Sequence, residues 1–506
     1  MELDFARQSH LIWALLPEIV LSISAMAVLL AGVWKHEEGR PQDAHWLGGL
    51  ALAGLLLAAV ANGWLYGLSE VGRDGIIALD GFRLFANWLF LLGAALTIVV
   101  SFTYVERQRL QVGEFYALIL LATVGMMFMG GTRDLILIFL GLETMSIAAY
   151  VLTAYNRRDR RSAEAGLKYF LLGAFSTGFL LYGIALAYGA TGTTNVAEMA
   201  VSIEGGAGLS GLLVAAMGLL AIGFGFKVAA VPFHMWTPDV YEGAPSPSTA
   251  YMAAAVKAAS FIAFVRVFLV AFEGVYTSWF PILWWLAALT MVVANLVALT
   301  QANVKRMLAY SSVAHGGYLL VAIAAANQMA TAGLLFYLLV YTFMTVGAFG
   351  ILMVVSAQSE ERLQLEDYSG LGWRQPYLGI LFTIFLLSLA GFPGTGGFMG
   401  KIYLLQGAAE AHLWTLAVIL VLTTVVSYFY YLRVSWYMWM RPAEGGAGEP
   451  GEDSAIFAPL PMRVALVATA GIILFLGIFP GNILDFAFVS AQDLFPPASG
   501  LIGGGP

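Results

Sequence analysis

Apolar runs of about 20 residues recur along the whole length of this 506-residue chain. A run of that length crosses the hydrocarbon core of a bilayer as an α-helix. Hydrophobic residues make up 60% of the chain and charged residues 11%, whereas about a quarter of the residues in a soluble domain are charged. The sequence lacks the alternating ten-residue strand pattern of a membrane β-barrel. It therefore predicts an all-α, polytopic membrane protein.

The hydropathy pattern predicts about fourteen transmembrane helices, two of them broken. Residues 1–113 are expected to form an N-terminal three-helix region. Residues 441–461 read as an acidic, Gly/Pro-rich linker on the cytoplasmic side, followed by the last span and an outer tail at 462–506. The predicted spans lie at about 11–34, 46–67, 80–104, 114–131, 134–155, 163–189, 209–241 (broken), 248–272, 279–300, 304–326, 330–357, 376–408 (broken), 412–440 and 462–488.

Basic residues are concentrated in the loops that follow the odd-numbered spans, which we call the odd loops. The odd loops hold fourteen Lys and Arg residues, whereas the termini and the even loops hold only Arg7, Arg73 and Arg133. Loops rich in Lys and Arg remain on the cytoplasmic side of a membrane. We therefore expect the odd loops to face the cytoplasm and both termini to lie outside.

Two spans carry a lysine beside residues that break helices. In AIGFGFKVAAVPFHMWTPDVYEGAPSPS (221–248), Lys227 precedes Pro232, and in LSLAGFPGTGGFMGK, Pro393 and several glycines precede Lys401. A lysine at the centre of a membrane helix costs about 2.5–3.5 kcal/mol. Broken backbone at membrane depth survives only where protein or a wet cavity surrounds it. The two stretches predict charges held at helix breaks inside a bundle, which is typical of transport.

The spacing of these charges indicates an internal repeat. Glu143 and Lys227 are 84 positions apart, and His315 and Lys401 are 86 apart. The next basic residue within a span follows after 30 and 32 positions, respectively. Equivalent residues are five spans apart, and an odd number of spans inverts the topology. The pattern predicts two inverted five-helix repeats, each containing a broken helix: 114–272 (spans 4–8) and 273–440 (spans 9–13).

Ionisable residues within spans are the candidates for moving protons. Glu143 is a candidate charge partner for Lys227, because opposite charges 4 Å apart attract by about 4 kcal/mol at an effective dielectric constant near 20. Perturbing such a pair would switch the proton affinity of the lysine. The alternative is a neutral carboxylic acid in a helix interface. Lys168, near the start of its span, is either a relay member or a lysine that snorkels to the interface.

Lys257 lies too deep in its span to snorkel, which favours a relay role. Lys401 is expected in the first turn of a half-helix, where the helix dipole disfavours a protonated amine and makes it a ready proton donor; an interfacial anchor is the alternative. His315 is mid-span, and proton relay and polar helix packing remain open for it. His234 lies at a broken helix end, where a relay role competes with a hydrogen bond to backbone. Arg266, on the face opposite Lys257, is expected to be structural.

At these positions the chain resembles the antiporter-like membrane subunits of respiratory complex I. The motifs that carry the resemblance are FLGLETMSIAAY, FKVAAVPFHMWTPDVYEGAPSPSTAY, QANVKRMLAYSSVAHGGY and LAGFPGTGGFMGKIYLL. Within that family it is most similar to the subunit N type, since Lys401 stands where subunit M carries a glutamate. The lack of a long lateral helix after the last span argues against subunit L.

The resemblance implies a proton-translocating subunit of NADH:quinone oxidoreductase. It assigns Glu143 and Lys227 to an ion pair, Lys257 to the central relay base and Lys401 to terminal proton exchange, with Lys168 matching a lysine of this subunit type. It implies no cofactor or metal in this chain, which agrees with the missing cysteines. NADH, FMN, iron–sulfur clusters and quinone are expected in partner subunits.

The expected partners are the other membrane subunits of complex I, including the other antiporter-like ones, within the lipid bilayer of the bacterial inner membrane. No nucleic-acid partner is expected. Two other classes stay open. One is a subunit of a multisubunit sodium/proton antiporter, which shares the broken-helix lysines. The other is a structural membrane scaffold, in which the buried lysines carry no activity.

Overall fold

The structure is a computed structural model of the 506-residue chain, and it describes residues 2–4, 8–34, 43–71, 75–207, 209–356, 363–442 and 458–495. Within these ranges, twelve helices are long and apolar enough to cross a membrane. Two shorter apolar helices belong to the broken segments. Together they match the fourteen predicted spans, and the prediction of an all-α membrane protein is confirmed.

Half of the twelve membrane-crossing helices begin at an Asp or Asn whose side chain accepts hydrogen bonds from the first free backbone N–H groups. Asp43, Asp80, Asp134, Asp159 and Asn303 cap their helices in this way. The helices of the first half are α2 (Leu16–Trp34), α3 (Ala44–Leu65), α4 (Gly81–Arg107), α5 (Val112–Gly131), α6 (Leu135–Thr153) and α7 (Arg160–Thr191).

The helix over Ser246–Ala271 contains two π-helical turns. It consists of α11 (Ser246–Tyr251), a π turn (Met252–Val256), α12 (Lys257–Arg266) and a second π turn (Val267–Ala271). Lys257 is thus the first residue after a π turn, a distortion that often marks a functional position. The later membrane helices are α13 (Tyr276–Leu299, after a 3-10 turn at Glu273–Val275), α14 (Val304–Ala325), α15 (Gln328–Val355), α19 (Trp414–Met440) and α20 (Leu460–Ile478).

Both predicted helix breaks are present. The first lies between α9 (Gly211–Lys227) and α10 (Trp236–Gly243), and the second between α17 (Pro376–Ala390) and α18 (Gly396–Glu410). Backbone groups freed at the first break find partners inside the protein: Val231 N donates to Thr290 Oγ1 at 2.9 Å, and Trp236 Nε1 donates to Phe226 O at 3.0 Å. This satisfies the requirement for broken backbone at membrane depth.

The ends of two predicted spans were wrong. The first span, predicted as one run from residue 11, is interrupted at Leu15 between α1 (Gln8–Ala14) and α2, because Pro17 has no N–H to continue the helical hydrogen bonds one turn back. The last, predicted to reach residue 488, ends at Ile478; Pro480 then precedes α21 (Gly481–Gln492). Short elements complete the described chain: α8 (Val196–Ser202), a π turn (Ile203–Ala207), a 3-10 turn (Leu365–Tyr368), α16 (Leu371–Arg374), and the parallel strands β1 (Glu2–Asp4) and β2 (Ser69–Val71).

The centre of the bundle is formed by Ser246–Ala271, α14 and α15. In an 18-residue apolar stretch of each, 94% of the residues are buried. In the peripheral helices α2, α19 and α20, only 33–39% of the residues in such a stretch are buried, as expected for helices facing lipid or other subunits. Most of the predicted 441–461 linker lies outside the described residues. The inverted relation between 114–272 and 273–440 stays a prediction, as do these domain boundaries.

Candidate functional site

Lys227, the last residue of α9, is buried, with 4% of its surface exposed. Its ammonium nitrogen donates to Ser146 Oγ at 2.8 Å and to Tyr150 OH at 3.3 Å, both on α6. The end of a helix is a favourable place for a lysine, because the last carbonyls carry the negative end of the dipole. Hydroxyl groups of α6 therefore solvate the Lys227 amine.

Glu143 also lies on α6, and its Oε1 accepts a hydrogen bond from Thr177 Oγ1 of α7 at 2.9 Å. The predicted direct ion pair with Lys227 is absent from this structure, as judged from the described residues. The reason is that Ser146 and Tyr150, which follow Glu143 on α6, present the hydroxyl groups that bind the Lys227 amine in place of the carboxylate.

Tyr150 neighbours both Ser146 and Thr177, so hydroxyl groups lie between the carboxylate and the amine. Gly173 of α7 makes room for this cluster, since a Cβ there would lie 2.2 Å from Tyr150 OH. Thr177 and Tyr150 thus separate the two charged residues.

Lys168 is half exposed and lies at the odd-loop end of α7. Its Nζ pairs with Glu164 at 2.8 Å and with Asp239 of α10 at 3.0 Å. Asp239 also pairs with Arg306 of α14, which contacts Glu242 at 2.7 Å. These charges line a cavity of about 190 Å³. Lys168 therefore belongs to a surface charge cluster that joins α7, α10 and α14, rather than to the buried row.

Lys257 lies at the centre of the bundle and is 2% exposed. Its Nζ donates to the carbonyl oxygen and to the Oγ of Ser312 on α14, both at 2.5 Å. Gly316, one turn further along α14, faces the first helix break: a Cβ there would lie 3.0 Å from Val228 O and 4.0 Å from Lys257 Nζ. The absence of a side chain at Gly316 keeps Lys257 next to the break that follows Lys227.

His315 is buried on α14 between two tyrosines. Its Nδ1 shares a hydrogen bond with Tyr337 OH of α15 at 2.5 Å, and its Nε2 contacts Tyr431 OH of α19 at 3.1 Å. Tyr431 OH in turn hydrogen-bonds Ser311 Oγ. Because both ring nitrogens have hydroxyl partners, the imidazole can accept a proton at one nitrogen while releasing one from the other.

Lys401 lies in the second turn of α18, not in its first turn. Its Nζ reaches back across the second break to donate to Leu389 O at 3.2 Å and Ala390 O at 2.9 Å. These are the last carbonyls of α17, so the amine meets the negative end of that helix dipole. The prediction that the amine lies at the positive end of α18 was wrong. The amine also lies 4.9 Å from the centre of the Tyr318 ring. Both contacts favour a protonated lysine.

His234 lies in the turn between α9 and α10 and is separate from this row. Its Nδ1 is buried without a hydrogen-bond partner, and its carbonyl accepts from Thr237 N at 2.9 Å. The nearby carboxylates named from the sequence, Asp239 and Glu242, pair instead with Arg306.

Arg266 and Arg83 are structural, as expected for Arg266. Arg266 forms a bidentate pair with Asp80 at 2.8 and 2.9 Å. Arg83 pairs with Glu18 at 2.7 Å, and both side chains are buried. Together the two pairs tie α2 and α4 to α12 at the even-loop side of the bundle.

The sequence interpretation missed the hydroxyl groups that link the charged residues. They follow helical spacing: Ser146 and Tyr150 lie three and seven positions after Glu143, and Ser311 and Ser312 lie four and three before His315. That spacing places them on one helix face and could have identified them. Tyr337 and Tyr431 come from distant segments, and nothing local singles them out. In the described ranges, no group of three or more His, Cys, Asp or Glu side chains is placed to hold a metal.

Comparisons with known proteins agree with this architecture. A profile of the family "NADH:quinone oxidoreductase/Mrp antiporter, TM" matches residues 132–427. NADH-quinone oxidoreductase subunit N of Trichlorobacter lovleyi is 48% identical over 475 residues, covering 94% of this chain and 95% of that protein.

The chain belongs to the NADH-quinone oxidoreductase subunit N family.

Solved structures place this subunit N family member in the same fold. A chain of respiratory complex I from Thermus thermophilus, solved with bound aureothin, is 37% identical with a TM-score of 0.77, covering 93% of this chain and 98% of that one. A chain of the Mrp complex from Dietzia has a TM-score of 0.80 at 21% identity, covering 96% and 98%. The second likeness extends to the fold alone.

Proposed function

We propose that this chain is the subunit N type membrane component of an NADH:quinone oxidoreductase and that it translocates protons during electron transfer from NADH to quinone. Near full-length relatives carry the subunit N name, and complex I of Thermus contains a chain of the same fold. The chain assembles with other membrane subunits, and the redox chemistry is carried out outside it.

The observation that carries the mechanism is a row of proton-binding groups across the bundle, in which all members but the half-buried Glu143 are buried. In order they are Glu143, Lys227, Lys257, His315 and Lys401. Hydroxyl groups of Thr177, Tyr150, Ser312 and the two tyrosines on His315 hydrogen-bond to members of this row. Hydroxyls and carbonyls, rather than fixed carboxylates, hold each amine. Such partners accept a hydrogen bond from the charged amine and tolerate the neutral one, so each lysine can both gain and lose a proton.

The start of the row is the proposed switch. Glu143 and Lys227 bond to different hydroxyl groups, and we take this arrangement as the separated form of the pair. A neighbouring subunit that moved α6 or α7 would change the distance between the two charges, and hence the proton affinity of Lys227. A hundredfold change in proton affinity supplies about 2.7 kcal/mol, which exceeds the roughly 2.3 kcal/mol needed to move one charge against 100 mV.

Protons would enter from the odd-loop side and leave through Lys401. We place the odd loops in the cytoplasm of a bacterium and both termini outside the inner membrane, since basic loops stay on the cytoplasmic side. Lys168, Asp239 and Arg306 lie at the odd-loop surface, where a charge cluster suits the collection of protons. Lys168 would thus act at the entrance rather than within the row.

The decisive experiment is Lys227→Ala in the whole complex reconstituted into liposomes. We expect assembly and NADH-driven quinone reduction to persist while the number of protons pumped per electron falls. Arg433→Gln is the control, because Arg433 is a basic residue within a span that caps the carbonyls of Leu299 and Gln301 outside the row. Unchanged stoichiometry in Lys227→Ala would refute the relay.

The antiporter alternative shares the fold, as the Mrp likeness demonstrates, so copurifying subunits decide between the two. Peripheral redox subunits in the purified complex would support the proposed function. The scaffold alternative predicts that alanine at Lys227, Lys257 and Lys401 raises stability and leaves pumping intact.

A further inference from the structure

Three neighbouring cavities open on the odd-loop side between α4, α5, α6 and α7. The largest, about 720 Å³, is lined by residues that include Arg109, Arg158 and Arg161. The second, about 160 Å³, shares Arg109 and Arg158 with it and adds Arg157. The third, about 480 Å³, contains Arg157 and continues along α6 and α7. The second cavity shares lining residues with each of the other two, so the three are neighbours on this surface.

The composition changes along this path. The first cavity is lined by arginines from two separate loops, with Arg109 after α4 and Arg158 and Arg161 around the start of α7. The carboxylates beside them already have partners: Asp159 accepts from Arg161 N at 2.9 Å, and Glu242 pairs with Arg306 at 2.7 Å. The cavity therefore offers positive charge to a ligand.

The third cavity is a groove with mostly apolar walls. Val151, Ala154, Ala163 and Phe170 line it. It is closed on the inside where α6 and α7 meet, because a Cβ at Gly166 would lie 2.4 Å from the Ala154 Cβ. The second cavity borders both the basic pocket and the apolar groove, and together the three match a molecule with an anionic head and a hydrocarbon tail.

We propose that this surface binds an anionic phospholipid, with its phosphate among Arg109, Arg158 and Arg161 and an acyl chain in the groove between α6 and α7. Orientation in the membrane requires only that these arginines lie on one side. Orientation does not require that arginines from two separate segments line one cavity, as they do here. Basic pockets between membrane helices are known to bind anionic head groups. A neighbouring helix would also fill the groove, but it would bring no phosphate group to the arginines.

The site has a direct connection to the buried row. Tyr150 forms part of the groove wall, and its hydroxyl accepts a hydrogen bond from Lys227. An acyl chain in the groove would pack against the ring whose hydroxyl holds the first lysine. Lipid occupancy would thus restrict the motion of Tyr150.

The test compares the purified wild-type complex with a triple variant that carries Arg109→Gln, Arg158→Gln and Arg161→Gln. The probes are phosphatidylglycerol and cardiolipin, supplied in phosphatidylcholine vesicles, and native mass spectrometry measures the lipid retained. We expect retention of the anionic lipids to weaken about fivefold for each arginine removed. Arg160→Gln is the matched control, since Arg160 is exposed at the start of α7 but lines none of the three cavities, and it should retain wild-type binding.

A photocrosslinking residue at position 163 identifies what lies in the groove, with position 175, exposed on a different face of the same helix, as its control. Crosslinks to phospholipid at 163 support the proposal. Crosslinks to a neighbouring membrane subunit, or equal anionic lipid retention in the triple variant and wild type, would overturn it. These readouts do not depend on proton pumping, so the proposed function can fail without affecting them.

Discussion

The three buried lysines are held by partners that leave their protonation open. Lys227 and Lys257 rest on serine and tyrosine oxygens, and Lys401 on two backbone carbonyls. A carboxylate in contact with each amine would hold the proton too firmly for transfer, whereas an apolar pocket would exclude it. Hydroxyl and carbonyl oxygens lie between these extremes.

Tyr337→Phe tests the role of His315 at this scale. The change leaves one nitrogen of a buried imidazole without its partner, which costs about 1–3 kcal/mol, and interrupts the connection on that side. We expect slower proton pumping at unchanged assembly, measured as the initial rate of proton uptake in proteoliposomes. Tyr116→Phe, at an equally buried tyrosine on α5, is the control. Equal rates in the two variants would assign His315 to helix packing.

At the scale of elements, the two breaks place their lysines differently. Lys227 is the last residue before the first break, whereas Lys401 lies after the second and reaches back to the carbonyls before it. Lys227 is thus itself the carboxyl end of a half-helix, whereas the Lys401 amine reaches the carboxyl end of the preceding one. The dipole supports a positive charge at each break, by two different routes.

The second break depends on close contact between its two half-helices. A Cβ at Gly397 would lie 1.9 Å from Ser388 O, a backbone atom of α17. Gly397→Ala should destabilise the protein by at least about 1–3 kcal/mol, the usual cost of overpacking. The loss would be seen as a lower Tm of the purified complex. Gly471→Ala, within α20 and open on all sides, should gain up to about 1 kcal/mol from helix propensity. The same Tm for both variants would contradict the close packing.

At the scale of the whole molecule, buried ion pairs attach the N-terminal helices to the centre of the bundle. Arg266 of α12 pairs with Asp80 at the start of α4, and Asp493, after α21, accepts a hydrogen bond from Gly81 N at 2.5 Å. The fold thus joins its first, middle and last helices at one point on the even-loop side. This fixed end holds α12, which carries Lys257 at its other end.

Asp80→Asn should destabilise the protein by about 3–5 kcal/mol, because it leaves Arg266 buried without a counter-charge. Asparagine still caps the helix, so the loss isolates the ion pair. Thermal unfolding of the complex measures the loss. Asp43→Asn is the control: it changes an N-cap that holds only backbone N–H groups and should leave the Tm unchanged. Adding Arg266→Met to Asp80→Asn should restore stability, and failure to do so would contradict the explanation.

The same pair predicts an acid limit to stability. Burial alone would raise the pKa of Asp80, but the charge and hydrogen bonds of Arg266 lower it below the ordinary value. A carboxylate with a lowered pKa stabilises the fold above the unfolded pKa, about 3.9, and that contribution disappears as the pH falls through the lowered value. The wild type should therefore lose more stability than Asp80→Asn on acidification.

The sequence alone determined the class of fold, the number of membrane segments, both helix breaks and the buried lysines. These follow from local chemistry: apolar runs demand helices in a bilayer, proline and glycine break them, and a lysine inside such a run requires a protected position. The same local reasoning placed Lys257 deep in its span and assigned Arg266 a structural role.

Which groups hold these charges follows from how the helices pack against one another. Ser146 and Tyr150 stand between Glu143 and Lys227, Lys401 folds back on the preceding half-helix, and Lys168 pairs at the surface. Each outcome depends on helices that are distant in sequence and packed side by side. A hydrogen bond reaches about 3 Å, less than the uncertainty of any helix position inferred from hydropathy, so the partners of a buried amine emerge only once the bundle is assembled.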